Sequence, residues 1–239
     1  MKQTFKGLGL LQAALLIWAS STQASTVAFS GTGTAAFGDY VQPPLNTSNV
    51  FYSSGKNVFA DQTDFTWGGR SIKSKLAFDG LSFDTSSPAP FELGSLRYDN
   101  ATFPTNLAIS SVRLDIKLSF TAIGEKTISY DIGINDTPNS GCNVNGCPDI
   151  IAINPSSNDG KLLLTTIGNT QYIFEFLGFN AEGTQNSRNF ETAEGGNSTA
   201  QLYGRITTSA VPVPAAVWSF LSGAMLLGGL TLRRQRQKG

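Results

Sequence analysis

Val112, Leu114, Ile116, Leu118 and Phe120 alternate without a break with Arg113, Asp115, Lys117 and Ser119. Successive side chains of an extended strand point to opposite faces, whereas a helix returns to one face every 3.6 residues. Unbroken alternation of this length therefore fits a half-buried β-strand and excludes an amphipathic helix. Ile128, Tyr130, Ile132 and Ile134 repeat the pattern beyond Gly124-Glu125-Lys126, so the two segments predict a hairpin that turns at those three residues. Weaker strand signals cover residues 26–31, 76–83, 91–98, 162–167, 171–179 and 200–207. Clusters of Gly, Ser, Asn, Asp and Pro separate them, as turns require.

Eight to ten strands are thus expected in the roughly 186 residues from 25 to 210, and no window there carries an apolar 3.6 period. The fold class is all-β, an antiparallel two-sheet β-sandwich with jelly-roll-like connections, because each sheet must bury one face. Alternation rather than continuous apolar runs speaks against a parallel β-helix. The lack of a fixed-period repeat speaks against a solenoid or propeller.

The two ends belong to a different chemistry. Lys2 and Lys6 precede an apolar stretch, 7–19, of signal-peptide length and too short to span a bilayer. Thr22-Gln23-Ala24 then puts small side chains where a signal peptidase reads, which places cleavage between Ala24 and Ser25. At the other end, residues 215–232 form a run of 18 without a charge. As a helix of about 1.5 Å per residue it reaches roughly 27 Å, enough for the hydrocarbon core. Arg233, Arg234, Arg236 and Lys238 follow, a basic flank that stays in the cytoplasm. The expected organisation is a signal peptide helix at 1–24, an exported domain at 25–210 and a tail at 211–239. Within the tail come a Pro motif (211–214), a transmembrane helix (215–232) and a basic cluster (233–238). The precursor would sit in the inner membrane with its ectodomain in the periplasm, and the product in the cell envelope or outside the cell.

Charge follows the same division. The whole chain is formally neutral, with 17 Lys and Arg against 17 Asp and Glu. Every carboxylate lies between the end segments while six cations lie within them, so the exported part carries an excess of about six negative charges. A nucleic-acid partner is excluded, since no basic patch can neutralise phosphates.

The tail's three parts stand in fixed order: Val211, Pro212, Val213 and Pro214, then the apolar run, then the Arg cluster. With Ala215-Ala216-Val217-Trp218 and Leu226-Leu227-Gly228-Gly229-Leu230, it resembles the PEP-CTERM sorting signal in its VPxP variant. That resemblance implies a Gram-negative host and an exosortase-like membrane enzyme that cuts near the Pro motif and releases or transfers the exported part. It also implies a link to exopolysaccharide and biofilm. The physical reading is independent of the family, because two prolines stop the helix and leave an extended segment at the membrane surface. A permanent single-span anchor is the rival reading. A GPI signal ends in apolar residues rather than a basic cluster.

A second resemblance covers most of residues 45–207. Phe65-Thr66-Trp67-Gly68, the strand from Ser74 to Gly80, Pro90-Phe91-Glu92-Leu93-Gly94, Asp136-Thr137-Pro138-Asn139, Gly178-Phe179 and the stretch from Ala200 to Ile206 are similar to the choice-of-anchor K domain. That family implies an extracellular β-rich domain with varying anchors and brings no activity with it.

The chain has no histidine. Ser-His-Asp and Cys-His nucleophile systems, His-based zinc sites and imidazole acid–base catalysis are excluded together. No catalytic residue and no established cofactor is expected, and the chain reads as a non-enzyme. Cys142 and Cys147 form a C-x4-C pair that predicts a structural disulfide in an oxidising compartment. A glycosidase would need paired carboxylates, and Glu175 with Glu182 or Asp79 with Asp84 are the pairs on offer. The acidic loops offer oxygen ligands to calcium, where Asp131, Asp136, Asp149 and Asp159 surround the cysteine pair, although no D-x-D-x-D-G pattern occurs. Trp67 is the single ectodomain tryptophan, expected in the core or at a sheet edge; a carbohydrate-binding module would instead display it. The sequons at Asn46, Asn100, Asn135 and Asn197 match chance in an Asn- and Thr-rich bacterial chain.

Overall fold

The computed structural model describes residues 27–42, 53–54, 58–102, 107–138, 141–142, 147–156, 158–180 and 187–211. The first part of the chain through Ala24 and Ser25, and everything from Pro212 onward, lie outside the described residues. Among the described residues no helix is long and apolar enough to cross a membrane.

The described chain is all-β. Its strands, in order, are β1 (Ala28–Val41), β2 (Ser53–Ser54), β3 (Gln62–Gly68), β4 (Lys73–Gly80), β5 (Ser82–Ser86), β6 (Pro90–Asp99) and β7 (Ser111–Phe120). They continue as β8 (Gly124–Asn135), β9 (Asp149–Pro155), β10 (Lys161–Ile167), β11 (Thr170–Asn180), β12 (Asn189–Thr192) and β13 (Asn197–Ala210). One sheet has the order β12-β9-β8-β7-β1-β5 and the other β10-β11-β13-β6-β4-β3-β2. All their pairings are antiparallel. The run β7-β8-β9 is a meander within one sheet, whereas β4-β5-β6 and β11-β12-β13 cross between sheets.

The alternation that marks β7 does its work at this level. Val112, Leu114, Ile116 and Leu118 are each buried and face Ile132, Tyr130, Ile128 and Lys126 across the pair. The turn itself is Thr121 to Ile123, so Gly124-Glu125-Lys126 opens β8 rather than forming the turn as the sequence suggested. Phe120 pairs with Gly124, so β7 ends where its alternation does and β8 begins four residues before Ile128.

The core lies between the two inner faces. Aromatic pairs join the sheets along its length: Phe83 with Phe91 at 4.7 Å, Tyr130 with Phe176 at 4.6 Å, Phe29 with Tyr172 at 5.4 Å and Phe37 with Phe65 at 6.1 Å. Each fully buried ring of this kind contributes about 1.5–3 kcal/mol relative to exposure. The outer faces carry ion pairs, such as Arg113–Asp115 at 2.8 Å and Arg205–Glu175 at 2.8 Å.

One predicted strand proves to be two. Residues 76–83 divide at Gly80, with β4 in the seven-stranded sheet and β5 in the six-stranded one. A Cβ on Gly80 would lie 2.0 Å from the carbonyl oxygen of Gly33, so only glycine permits this close corner between sheets.

Candidate functional site

The outer end of the sandwich, where β8 runs out, gathers acidic groups from three connections. Asp136 follows directly on β8, Asp149 opens β9, and Glu194 sits in the turn between β12 and β13. One carboxylate oxygen from each lies within 4.8 Å of the others. Both sheets contribute, because β8, β9 and β12 belong to one and β13 to the other.

Asp149 is the centre of the group and is wholly buried, at 0% exposure. The Thr137 amide donates to its Oδ1 at 2.8 Å, and the Tyr98 hydroxyl donates to its Oδ2 at 2.9 Å. Tyr98 stands on β6 in the opposite sheet and stacks on Trp67, rings 5.8 Å apart and 3° from parallel. The Thr137 hydroxyl donates to the Cys147 carbonyl at 2.8 Å, closing the base of the loop that the Cys142–Cys147 disulfide pins further out. Asn100, at 4% exposure, extends its amide toward the carbonyls of Thr192 and Ala193 at 3.4 Å each.

The polar groups here are not all satisfied. Among the described residues, six buried side-chain polar atoms have no hydrogen-bond partner, and three of them belong to this end: Asp136 Oδ2, Glu194 Oε1 and Thr192 Oγ1. Thr192 is 1% exposed and is the direct cross-strand partner of Asp149. Opposed residues of an antiparallel pair place their side chains on one face with Cβ atoms about 5 Å apart, so the Thr192 side chain stands beside Asp149 on the inner face.

Electrostatics makes the arrangement uncomfortable as it stands. Burial, with the Asp149 and Glu194 carboxylates behind it, pushes the Asp136 carboxyl up to about 7. Burial and then Asp149 raise Glu194 as well, opposed by hydrogen bonds from Asn100 and Thr102. Burial beside Asp149 holds the Tyr98 hydroxyl firmly protonated, which suits a donor. Two carboxylates about 5 Å apart repel by roughly 3 kcal/mol at an effective dielectric near 20.

The remaining sequence candidates are placed elsewhere. Asp131 faces outward on β8 and accepts from Ser156 at 3.2 Å, and Asp159 sits in a single 3-10 turn at Asn158–Gly160; neither joins the acidic group. Glu175 is held by Arg205 at 2.8 Å and Lys161 at 3.8 Å, and Glu182 lies outside the described residues. Asp84 is exposed on β5. Asp79 lines a shallow polar depression of about 460 Å³ on the outer face of β3, β4 and β6, with Gln62, Asp64, Lys75 and Arg97. Trp67 is 1% exposed and so offers no platform to a sugar. Sequence reading missed Glu194 and Thr192 because β12 carries no alternating signal long enough to mark a strand.

No family model matches the chain, and no curated protein matches it.

Proposed function

We propose that the chain is a non-enzymatic exported protein of the cell surface or extracellular matrix, sorted by an exosortase-like enzyme and linked to exopolysaccharide or biofilm. The observation that supports this most is the tripartite tail. Val211, Pro212, Val213 and Pro214 precede an uncharged run of 18 residues and then Arg233, Arg234 and Arg236. In this reading 1–24 is the signal peptide helix and 215–232 the transmembrane helix of an inner-membrane precursor. The β-sandwich is the cargo, with jelly-roll-like descent for its crossings between sheets. The excess of acidic groups in the exported part suits a solvated envelope protein.

Intact mass of the protein recovered from its native host tests the reading. A product that starts at Ser25 and ends near Pro214 is the expected result. A product that retains residues 233–239 would make the tail a permanent anchor and remove the exosortase from the account.

The polar depression on the outer face of β3, β4 and β6 favours a second reading, a carbohydrate-binding module. Arg97 Nε there is buried without a partner, and Asp64, Lys75 and Asp79 supply further donors and acceptors. A glycan array distinguishes the two, since saturable binding lost in Asp79→Ala would make the protein a lectin. A glycoside hydrolase is the third class, and turnover of any polysaccharide, abolished by one carboxylate-to-amide change, would establish it.

A further inference from the structure

We propose that Asp136, Asp149, Glu194 and the Thr192 hydroxyl form a calcium site that ties the cysteine-bearing loop of one sheet to the β12–β13 turn that leads into the other. The site is defined by side chains within the exported domain and holds whether or not the tail is cleaved.

The first argument is the size of the gap. Calcium binds oxygen at about 2.3–2.6 Å, so two ligand oxygens on opposite sides of one ion stand roughly 5 Å apart at most. The three carboxylate oxygens lie within 4.8 Å of one another, which lets a single ion between them reach all three. Were they a chance surface group, each would turn to solvent, and Asp149 is instead fully enclosed.

The second argument is independent of the acids. Thr192 is buried with an unpartnered hydroxyl, and its pairing with Asp149 sets its side chain beside that carboxylate on the same face. Asp136 Oδ2 and Glu194 Oε1 are likewise enclosed without a hydrogen-bond donor. Native interiors rarely leave a buried polar atom orphaned, and one cation would satisfy all three of these oxygens at once. Every candidate ligand atom here is an oxygen, and the chain has no histidine to add nitrogen. Hard oxygen donors select calcium or magnesium over zinc and copper.

Calcium is preferred to magnesium for two reasons. Magnesium keeps several waters and demands near-octahedral geometry, whereas calcium accepts six to eight oxygens in irregular arrangements. Three carboxylates from three separate segments, with one hydroxyl beside them, form an irregular, oxygen-rich set. The existing partners of Asp149 are compatible with ligation. Each carboxylate oxygen has two lone pairs, so donation from Thr137 and Tyr98 fixes the group while leaving it free to bind an ion.

The test uses the full-length chain in detergent, stripped with EGTA and titrated with CaCl2 in a calorimeter. One equivalent is expected, with Kd between about 10⁻⁴ and 10⁻³ M, the range of extracellular modules. Magnesium chloride should bind at least tenfold more weakly. Asp136→Asn and Glu194→Gln should each weaken calcium binding at least tenfold, while Asp131→Asn and Asp159→Asn leave it unchanged. Both ligand variants relieve carboxylate repulsion, so the stripped proteins should melt roughly 2–4 °C higher than the stripped parent and are expected to fold. A carboxyl cluster that merely shares protons would give the same rise in melting temperature with no calcium binding in the parent. That result, binding equal for magnesium, or binding that survives both ligand variants, would overturn the proposal.

Discussion

Tyr98 holds a buried carboxylate with its hydroxyl and a buried tryptophan with its ring, so one side chain connects the acidic pocket to the core. Tyr98→Phe keeps the stacked ring and removes the hydroxyl that donates to Asp149 Oδ2 at 2.9 Å and reaches Asn100 Oδ1 at 3.2 Å. Losing one hydrogen bond to a buried charged group costs about 1–3 kcal/mol, and urea unfolding should show a stability loss of that size. Trp67→Ala should cost more, about 3–5 kcal/mol, because a large ring leaves a cavity that its neighbours cannot fill. An unchanged midpoint for Trp67→Ala would mean that the ring is not packed as described. The sequence made part of this visible. A lone ectodomain tryptophan beside alternating strands reads as core, and two of the four acids around the cysteines do belong to the pocket. The other two do not, since proximity in sequence says nothing about which face of β8 a side chain occupies: Asp131 points outward and Asp136 lies just beyond the strand end. Glu194 and Thr192 are brought in by a strand pairing that no local pattern announces.

At the level of elements, the corners between sheets decide the topology. Gly80 ends β4 where the chain leaves one sheet for the other, with the Gly33 carbonyl against its Cα. Gly80→Ala forces backbone against Cβ at this point, where no side chain can rotate away. Overpacking of this type costs about 1–3 kcal/mol, and chemical denaturation should place the variant at or beyond the upper end. A neutral substitution would show that the corner can open. The disulfide is a milder restraint. Closing a loop as short as 142–147 contributes about 2 kcal/mol, so the Cys142→Ser, Cys147→Ser double variant should lose about that much, provided the Thr137 bonds at the loop base persist. Strands such as β7 and β8 were legible because one face is buried and the other solvated. The break at Gly80 is marked instead by a slip of phase: Leu76 and Phe78 are buried at even positions and Phe83 at an odd one, so the chain changes sheet and the inner face stays inner. β9 was missed because Ile150 and Ile151 interrupt the period, and β3 because it is short and runs into Gly68-Gly69.

The two sheets are closed on each other by rings rather than by a shared strand, and this sets how the whole molecule unfolds. Phe37 on β1 meets Phe65 on β3, and Phe83 on β5 meets Phe91 on β6. Tyr130 on β8 meets Phe176 on β11, and at the far side Phe179 on β11 meets Phe190 on β12 at 5.0 Å. The pairs run from one side of the sandwich to the other, so neither sheet keeps its inner face dry without its partner. A single cooperative transition follows, with no state in which one sheet survives alone. Phe37→Ala tests this at a residue fully buried in β1. The truncation should cost about 3–5 kcal/mol. Near-ultraviolet dichroism, which reports the aromatic core, and far-ultraviolet dichroism, which reports the strands, should both move to lower urea by the same amount. Were the seven-stranded sheet able to stand alone, the far-ultraviolet signal would persist after the near-ultraviolet signal was lost. The pairing of β6 with β13, and of β1 with β7, makes that outcome inconsistent with the fold, because each sheet is itself built from segments far apart in sequence. Such non-local ladders gain little until the facing sheet covers them, so the rings that join the sheets are also what holds each sheet together.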